Sequence, residues 1–285
     1  MNKPFYKGIT FYRYMSLTFF FFLIVINPIL IYKYGITFIQ GWYQSFAVGN
    51  FFIVSPLEGI ESILTSKSIY LTAIIGMLFP IILASLLGRV FCSWVCPISF
   101  LSELTDKIIG IFSKKLKYQR NFITLPKYIL WFALIAEIIF TLIIGYPLFV
   151  WWSPPALVGR EIMLYVFYKI ITIEIGIVLI ILLLNLLTKR FFCRYLCPLG
   201  ALLALFGKNR KLVIEYDSTK CINCKLCDQR CPLDIKPSIG NSEGIHCWNC
   251  FECKDACPTE ALKITWGKDK VLEFKINKNI SKNYN

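Results

Sequence analysis

CINCKLCDQRCP, Cys221 to Pro232, recurs as CWNCFECKDACP, Cys247 to Pro258, so the spacing C-x2-C-x2-C-x3-C-P occurs twice near the end of the chain. Three cysteines separated by two residues let one tight loop aim three thiolates at a single cubane, and the fourth thiolate must come from elsewhere. In the doubled spacing it comes from the other copy. Cys221, Cys224, Cys227 and Cys257 are therefore expected to hold one [4Fe–4S] cluster, and Cys247, Cys250, Cys253 and Cys231 the second. Structural zinc sites rarely combine a third closely spaced cysteine with a trailing Cys-Pro. Disulfides do not persist in the reducing compartment where such clusters are used.

Working outward from these motifs, Leu212–Tyr216 and Ala261–Thr265 alternate like short strands that pair across a small α+β domain of the bacterial two-cluster ferredoxin type, residues 212–267. Such a domain folds around its metal and is poorly folded without it. His246, the only histidine, stands beside Cys247, where it either tunes that cluster or is simply exposed. One histidine excludes a membrane haem with two histidine ligands built from this chain alone. Residues 268–285 read as a polar tail.

The rest of the chain is different in kind. Of 285 residues 56% are hydrophobic and 17% charged, and the apolar ones fall in long blocks before residue 190. Residues 1–211 therefore read as an all-α membrane domain with four transmembrane helices in two repeated hairpins: Tyr14–Tyr32, Ser68–Leu87, Tyr128–Tyr146 and Ile170–Thr188. Pro28 and Pro80 lie inside the first two, which neighbouring helices make tolerable. The first block, preceded by Lys3, Lys7 and Arg13, reads as a retained anchor and not a cleaved signal.

The net charge of +14 would suit nucleic acid, but the lysines and arginines flank apolar blocks, which suits an anionic lipid face instead. Arg89, Lys107, Lys114, Lys115, Lys117, Arg120 and Lys127 follow the second block, and Lys189, Arg190, Arg194, Lys208, Arg210 and Lys211 follow the fourth. The intervening stretches Gly35–Ser66 and Pro147–Tyr168 carry few charges, so both termini and the clusters are expected on the cytoplasmic side of a multi-pass protein.

An internal repeat supports two hairpins. GRVFCSWVCPISFL (Gly88–Leu101) matches KRFFCRYLCPLGAL (Lys189–Leu202). After the first copy Ile98, Leu101, Leu104, Ile108 and Phe112 recur at helical spacing, as in a helix lying on the inner membrane surface. If the hairpins pack symmetrically, Cys92, Cys96, Cys193 and Cys197 converge at the membrane edge. Three readings stay open for them: an extra metal site of copper, iron–sulfur or zinc type, a redox-active thiol pair, or packing. Glu137 falls near mid-membrane, where a carboxylate is costly and marks a functional candidate; it either accepts a proton from a quinol or is protonated and bonded between helices. Glu174 is a weaker partner for it, and Arg160 with Trp151–Trp152 reads as interfacial anchoring.

The doubled C-x3-C-P at helix ends, followed by a two-cluster module, resembles the NapH/MauN family and the membrane half of NosR, over Met1 to about Trp266. The resemblance implies a component of the bacterial or archaeal cytoplasmic membrane that passes electrons from the quinol pool, menaquinol or ubiquinol, toward a periplasmic reductase or its maturation system. It further implies partner redox subunits such as ferredoxin-type proteins or a multihaem cytochrome, and no nucleic acid. The length suits NapH better than NosR with its flavin-bearing outer domain. The rival expectation is a cytoplasmic-face copper reductase or assembly factor using Cys92, Cys96, Cys193 and Cys197. A non-redox scaffold is disfavoured by eight cluster-type cysteines.

Overall fold

The computed structural model describes residues 8–35, 39–42, 45–49, 51–113 and 120–267. Lys3, Lys7, Lys114, Lys115, Lys117 and the expected tail 268–285 lie outside the described residues.

Helix α1 (Ile9–Tyr34) leads into a three-stranded antiparallel sheet, β1 (Gln40–Trp42), β2 (Ser45–Val48) and β3 (Phe51–Val54). There follow α2 (Pro56–Ser66), α3 (Leu71–Leu87), α4 (Val90–Trp94) and α5 (Pro97–Phe112). A second series comprises α6 (Ile129–Ile144), α7 (Leu148–Trp152), α8 (Pro154–Tyr168), α9 (Ile175–Leu187), a π-helical turn (Phe192–Leu196) and α10 (Pro198–Phe206). The small domain holds β4 (Leu212–Tyr216), α11 (Leu226–Arg230), α12 (Glu252–Ala256) and β5 (Leu262–Trp266). Its strands pair antiparallel with Ile214 opposite Ile264, one residue displaced from the expected second strand.

The four apolar blocks are helical, but they are not four equal spans. At 26 residues α1 is the one helix among the described residues long and apolar enough to cross a bilayer core. The helices α3, α6 and α9 have 17, 16 and 13 residues. At ~1.5 Å per residue they fall short of the ~30 Å core.

Two short helices absent from the sequence reading complete the layer. α2 and α8 each start on a buried Ser-Pro step, Ser55–Pro56 and Ser153–Pro154. Proline suits the first helical position because its missing N–H needs no partner there. They carry matching residues: Leu57 and Leu157 fully buried, Gly59 and Gly159, Glu61 and Glu161 buried. Leu57 joins a core with Leu130, Leu134, Leu199, Leu203 and Cys197, while Leu157 joins Cys96, Ile98, Val178 and Ile181. The repeat thus extends well beyond the C-x3-C-P segment. Its first helices are exchanged: α1 packs on α8 of the second unit, and α6 on α2 of the first.

The helix after the first motif exists, as α5. Ser99, Ser102, Glu103 and Asp106 are buried, whereas Leu104, Ile108, Ile111 and Phe112 are exposed. Its acidic side faces cations inside the protein. Arg13, Arg89, Arg120, Lys189, Arg190, Arg194 and Arg210 are all buried, so these cations of the basic segments do not lie on a lipid face.

Candidate iron–sulfur and thiol sites

The backbone of the two motifs is bent in the same way. Asn223, Lys225 and Asp234 of the first have positive φ, and so do their counterparts Asn249, Phe251 and Glu260. Left-handed conformation at non-glycine residues is costly and persists where the surroundings demand it. Here it turns each two-residue spacer back on itself so that consecutive thiols face one centre.

The two expected ligand sets are brought together across the motifs. Cys221, Cys224, Cys227 and Cys257 line one small cavity. Cys253 lies in electrostatic reach of Cys250, Cys247 and Cys231, which form the second set. Backbone amides already point at sulfur, from Asn223 to Cys221 at 3.4 Å and from Ala261 to Cys257 at 3.3 Å. Such donors favour an anionic sulfur. Without metal, burial pushes the Cys227 thiol up to about 12 and Cys231 up to about 11, so the thiolates need a cationic centre. Among the described residues no three Cys, His, Asp or Glu side chains are placed to hold one single metal ion. The donor sets therefore fit a multi-iron cubane, whose irons each take one thiolate, better than a mononuclear zinc or copper ion.

The two sets differ in setting. Cys224 is exposed and Cys221 and Cys257 half-buried, whereas Cys231, Cys247, Cys250 and Cys253 are all buried. The buried set rests on both C-x3-C-P segments. From the first, Ser93 Oγ donates to the Trp248 carbonyl at 2.7 Å and Trp94 Nε1 to the Asn249 carbonyl at 3.1 Å. From the second, Arg194 donates twice to the Pro232 carbonyl, at 2.8 and 3.1 Å. Arg89 bonds the His246 carbonyl and Asn249 Nδ2 donates to the Leu87 carbonyl at 2.7 Å.

Cys92, Cys96, Cys193 and Cys197 do converge. Each feels the charge of others in the set, and Cys92 and Cys193 pack directly against the core of the small domain. Burial pushes Cys92 up to about 12 and raises Cys96, Cys193 and Cys197 too. Arg89 draws Cys92 and Cys193 the other way, and Arg190, at the position matching Arg89, acts on Cys193. No single-ion site is ready-made here either.

A buried ionic network joins the halves. Arg13 contacts Glu103 at 2.8 Å and also Glu252, which lies between two cysteines of the buried set. Arg190 contacts Glu103 at 2.5 Å and Asp106 at 3.3 Å, and Arg120 pairs with Asp106. Burial alone would raise the Glu103 carboxyl, but Arg190 and Arg13 outweigh it and hold it down to about 2.

Glu137 is half-buried on α6, and the structure sets Glu61 within its electrostatic reach. Glu61 Oε2 accepts from the Phe149 amide at 3.0 Å, and Glu61 Oε1 and Thr141 Oγ1, one turn beyond Glu137, are buried beside each other. The sequence reading missed Glu61; its match to Glu161 was the available signal. Glu174 is not in this group: it pairs with Arg160, whose guanidinium lies 5.1 Å from the Trp151 ring centre and donates to the Trp151 carbonyl. His246 faces a cleft, and burial, with Arg89 and Lys127 nearby, holds its imidazole down to about 4.

Comparison with known proteins places this arrangement. A family model described as a 4Fe-4S binding domain matches residues 70–119 and 171–215, the segments holding Cys92, Cys96, Cys193 and Cys197 and none of the other eight cysteines. An uncharacterized protein of Methanocaldococcus jannaschii is 33% identical over 67% of this chain and 77% of its own length. The ferredoxin-type protein NapH of Escherichia coli is 24% identical over 81% of this chain and 82% of its own. The methylamine utilization ferredoxin-type protein MauN of Methylobacillus flagellatus is 28% identical over 63% of this chain and 61% of its own. No solved structure matches. The 4Fe-4S match and these relatives place the chain in the NapH/MauN-like family of ferredoxin-type iron–sulfur electron-transfer proteins.

Proposed function

We propose that the protein is the membrane component of a quinol dehydrogenase of NapH type, passing electrons between the quinol pool and a respiratory reductase or its maturation system. The observation that carries this reading is the stacking of cysteine sets. A partly exposed set of four meets a buried set of four, and the buried set is clamped by both C-x3-C-P segments. Two [4Fe–4S] clusters, when bound, supply one-electron carriers. The loops and the Arg194, Ser93 and Trp94 contacts hold them in fixed order, from the exposed end toward the helical half. Cys92, Cys96, Cys193 and Cys197 then form a third centre of iron–sulfur type. Four thiolates leave net negative charge on such a centre, and Arg89 and Arg190 offset it. A copper reductase is the second reading; it requires soft ligands converging on one ion.

Membrane insertion is supported by apolar side chains that no protein covers, such as Phe19, Ile75, Phe132 and Leu183. α1, α3, α6 and α9 cross the bilayer, the shorter three with their apolar flanks, while α2 and α8 dip in from the outer side. Their backbone ends are tolerable there because protein surrounds them. The termini and clusters face the cytoplasm. Glu137 with Glu61 and Thr141 forms an intramembrane polar group suited to hold a proton.

The test is reduction of the anaerobically purified, cluster-loaded protein by menaquinol or ubiquinol in proteoliposomes, followed by visible absorption and EPR. Bleaching that depends on quinol supports the reading. Clusters that stay oxidised with every quinol, alone and with partner subunits, overturn it. Iron analysis of wild type against a Cys92/Cys96/Cys193/Cys197→Ser variant tests the third centre, which predicts iron beyond the ~8 of two cubanes that the variant loses.

A further inference from the structure

A cleft of about 110 Å³ opens where the helical half meets the small domain. It lies against the buried cluster set: His246 precedes Cys247, and Leu233, Asp234 and Ile235 follow Cys231 on its wall. Three cations face it, yet two are already committed. Arg89 donates to the carbonyls of Gly200 and His246, and Arg194 to Pro232 and to Asn121 Oδ1 at 2.9 Å. Both also offset cysteine charge. Asp234 Oδ2 accepts from Asn121 Nδ2 at 3.3 Å, so what is left to meet a ligand is the Lys127 ammonium, the other Asp234 oxygen and the His246 imidazole, over a floor of Leu233 and Ile235 and with Thr124 and Tyr195 on the wall.

One donor facing two acceptors across an apolar floor does not suit a phosphate, which needs several cations. It suits a flat neutral ring with an oxygen at each end, a hydroxyl on one side donating to acceptors and an oxygen on the other accepting from Lys127. The cleft is open on one side, so a long tail can run out of it. The lip provides for one: Phe122, Ile123 and Tyr128 are exposed beside Thr124, Leu125 and Lys127, and they continue onto the uncovered apolar face of α6 at Phe132 and Ile135.

We propose that this cleft binds the ring of a membrane quinol, held between Lys127 on one side and Asp234 and His246 on the other, with its tail along α6. The inference rests on the quinol-linked reading above and adds the site. It places the ring next to the ligand loops of the buried cluster, whereas Glu137 stands eight residues, ~12 Å, up α6 from its first residue.

The experiment is a binding titration of the cluster-loaded protein in nanodiscs with a fluorescent 2-alkyl-4-hydroxyquinoline N-oxide, a quinol analogue quenched on binding. Wild type, Lys127→Ala, Asp234→Asn and Glu137→Gln are compared, each checked for intact cluster absorption. Tenfold or greater weakening in Lys127→Ala and Asp234→Asn, and a smaller effect in Glu137→Gln, is the expected result. Wild-type binding in both cleft variants, with loss in Glu137→Gln, overturns the cleft and leaves quinol-linked function standing. Displacement of the analogue by anionic phospholipid with no competition from quinol assigns the cleft to a lipid headgroup and also overturns the proposal. A wild type that neither binds the analogue nor is reduced by quinol removes the parent reading, and the cleft proposal with it.

Discussion

Replacing Arg13 with methionine tests whether the ionic network fastens the small domain to the helical half. The Arg13 side chain is 0% exposed and contacts carboxylates from two places, Glu103 on α5 and Glu252 in the second cluster motif. Removing one partner of a buried ion pair costs about 3–5 kcal/mol, because the other charge is left in a poor solvent. Glu103 keeps Arg190 at 2.5 Å, so the uncompensated charge falls mainly on Glu252. The lower end, about 3 kcal/mol, is therefore expected, equivalent to roughly a hundredfold shift in a docking equilibrium. The assay is loss of cluster absorption against denaturant in detergent, with midpoint and slope recorded. Arg13→Met should lower the midpoint, and adding Glu252→Gln should recover part of the loss, a double-mutant cycle with coupling near 2 kcal/mol. A midpoint within 0.5 kcal/mol of wild type, or a double variant no better than the sum of the singles, would refute the view that this network holds the halves together.

The crossing of ligands gives a sharp test by EPR: Cys257→Ala should remove the signal of the cluster held with Cys221, Cys224 and Cys227, although it sits in the second motif. Cys231→Ala should spare that signal and remove the buried one, each variant losing about four irons. Glu103 sets an acid limit, read as cluster bleaching against pH. Its carboxyl is depressed from 4.5 to about 2 when folded, so its stabilisation is complete above pH 4.5 and is lost as pH falls from there toward 2. Glu103→Gln should remove that dependence. Gly88→Ala should lower the yield of cluster-loaded protein, with a cost of about 1–3 kcal/mol in thermal stability. Gly88 has φ +77, and an added Cβ would stand 2.6 Å from Arg210 Cδ.

The small domain was legible because its constraint is local and chemical. Cysteine spacing fixes which thiols can share a cubane, and the thiols of each crossed set lie near one another. The strand flanks followed to within one residue. The helical half was legible only in outline, because the usual rule of apolar residues inside is reversed there. On α5 the apolar stripe that suggested a surface-lying helix faces outward, and Glu103 and Asp106 face in. Lysine and arginine counts also mislead when the cations are ligands of the interior: Arg120 and Arg190 are nearly inaccessible, held by Asp106 and Glu103. The sheet before α2 gave no signal because Phe51–Val54 is too short a run to show alternation, yet it pairs with Ser45–Val48. Glu61 passed unnoticed because its significance depends on α6, far along the chain.

The exchange of α1 and α6 between the repeated units bears on how such a protein could arise. A chain with one unit alone would leave the face of its first helix that meets a Ser-Pro helix unpaired, and its own Ser-Pro helix only partly covered. Each deficit is what a second copy supplies, so the smallest self-sufficient form of the unit is a symmetric pair. Fusion of two copies into one chain would make that pairing independent of concentration. It would also free the two sides to diverge, one motif answering the small domain through Ser93 and Trp94 and the other through Arg194.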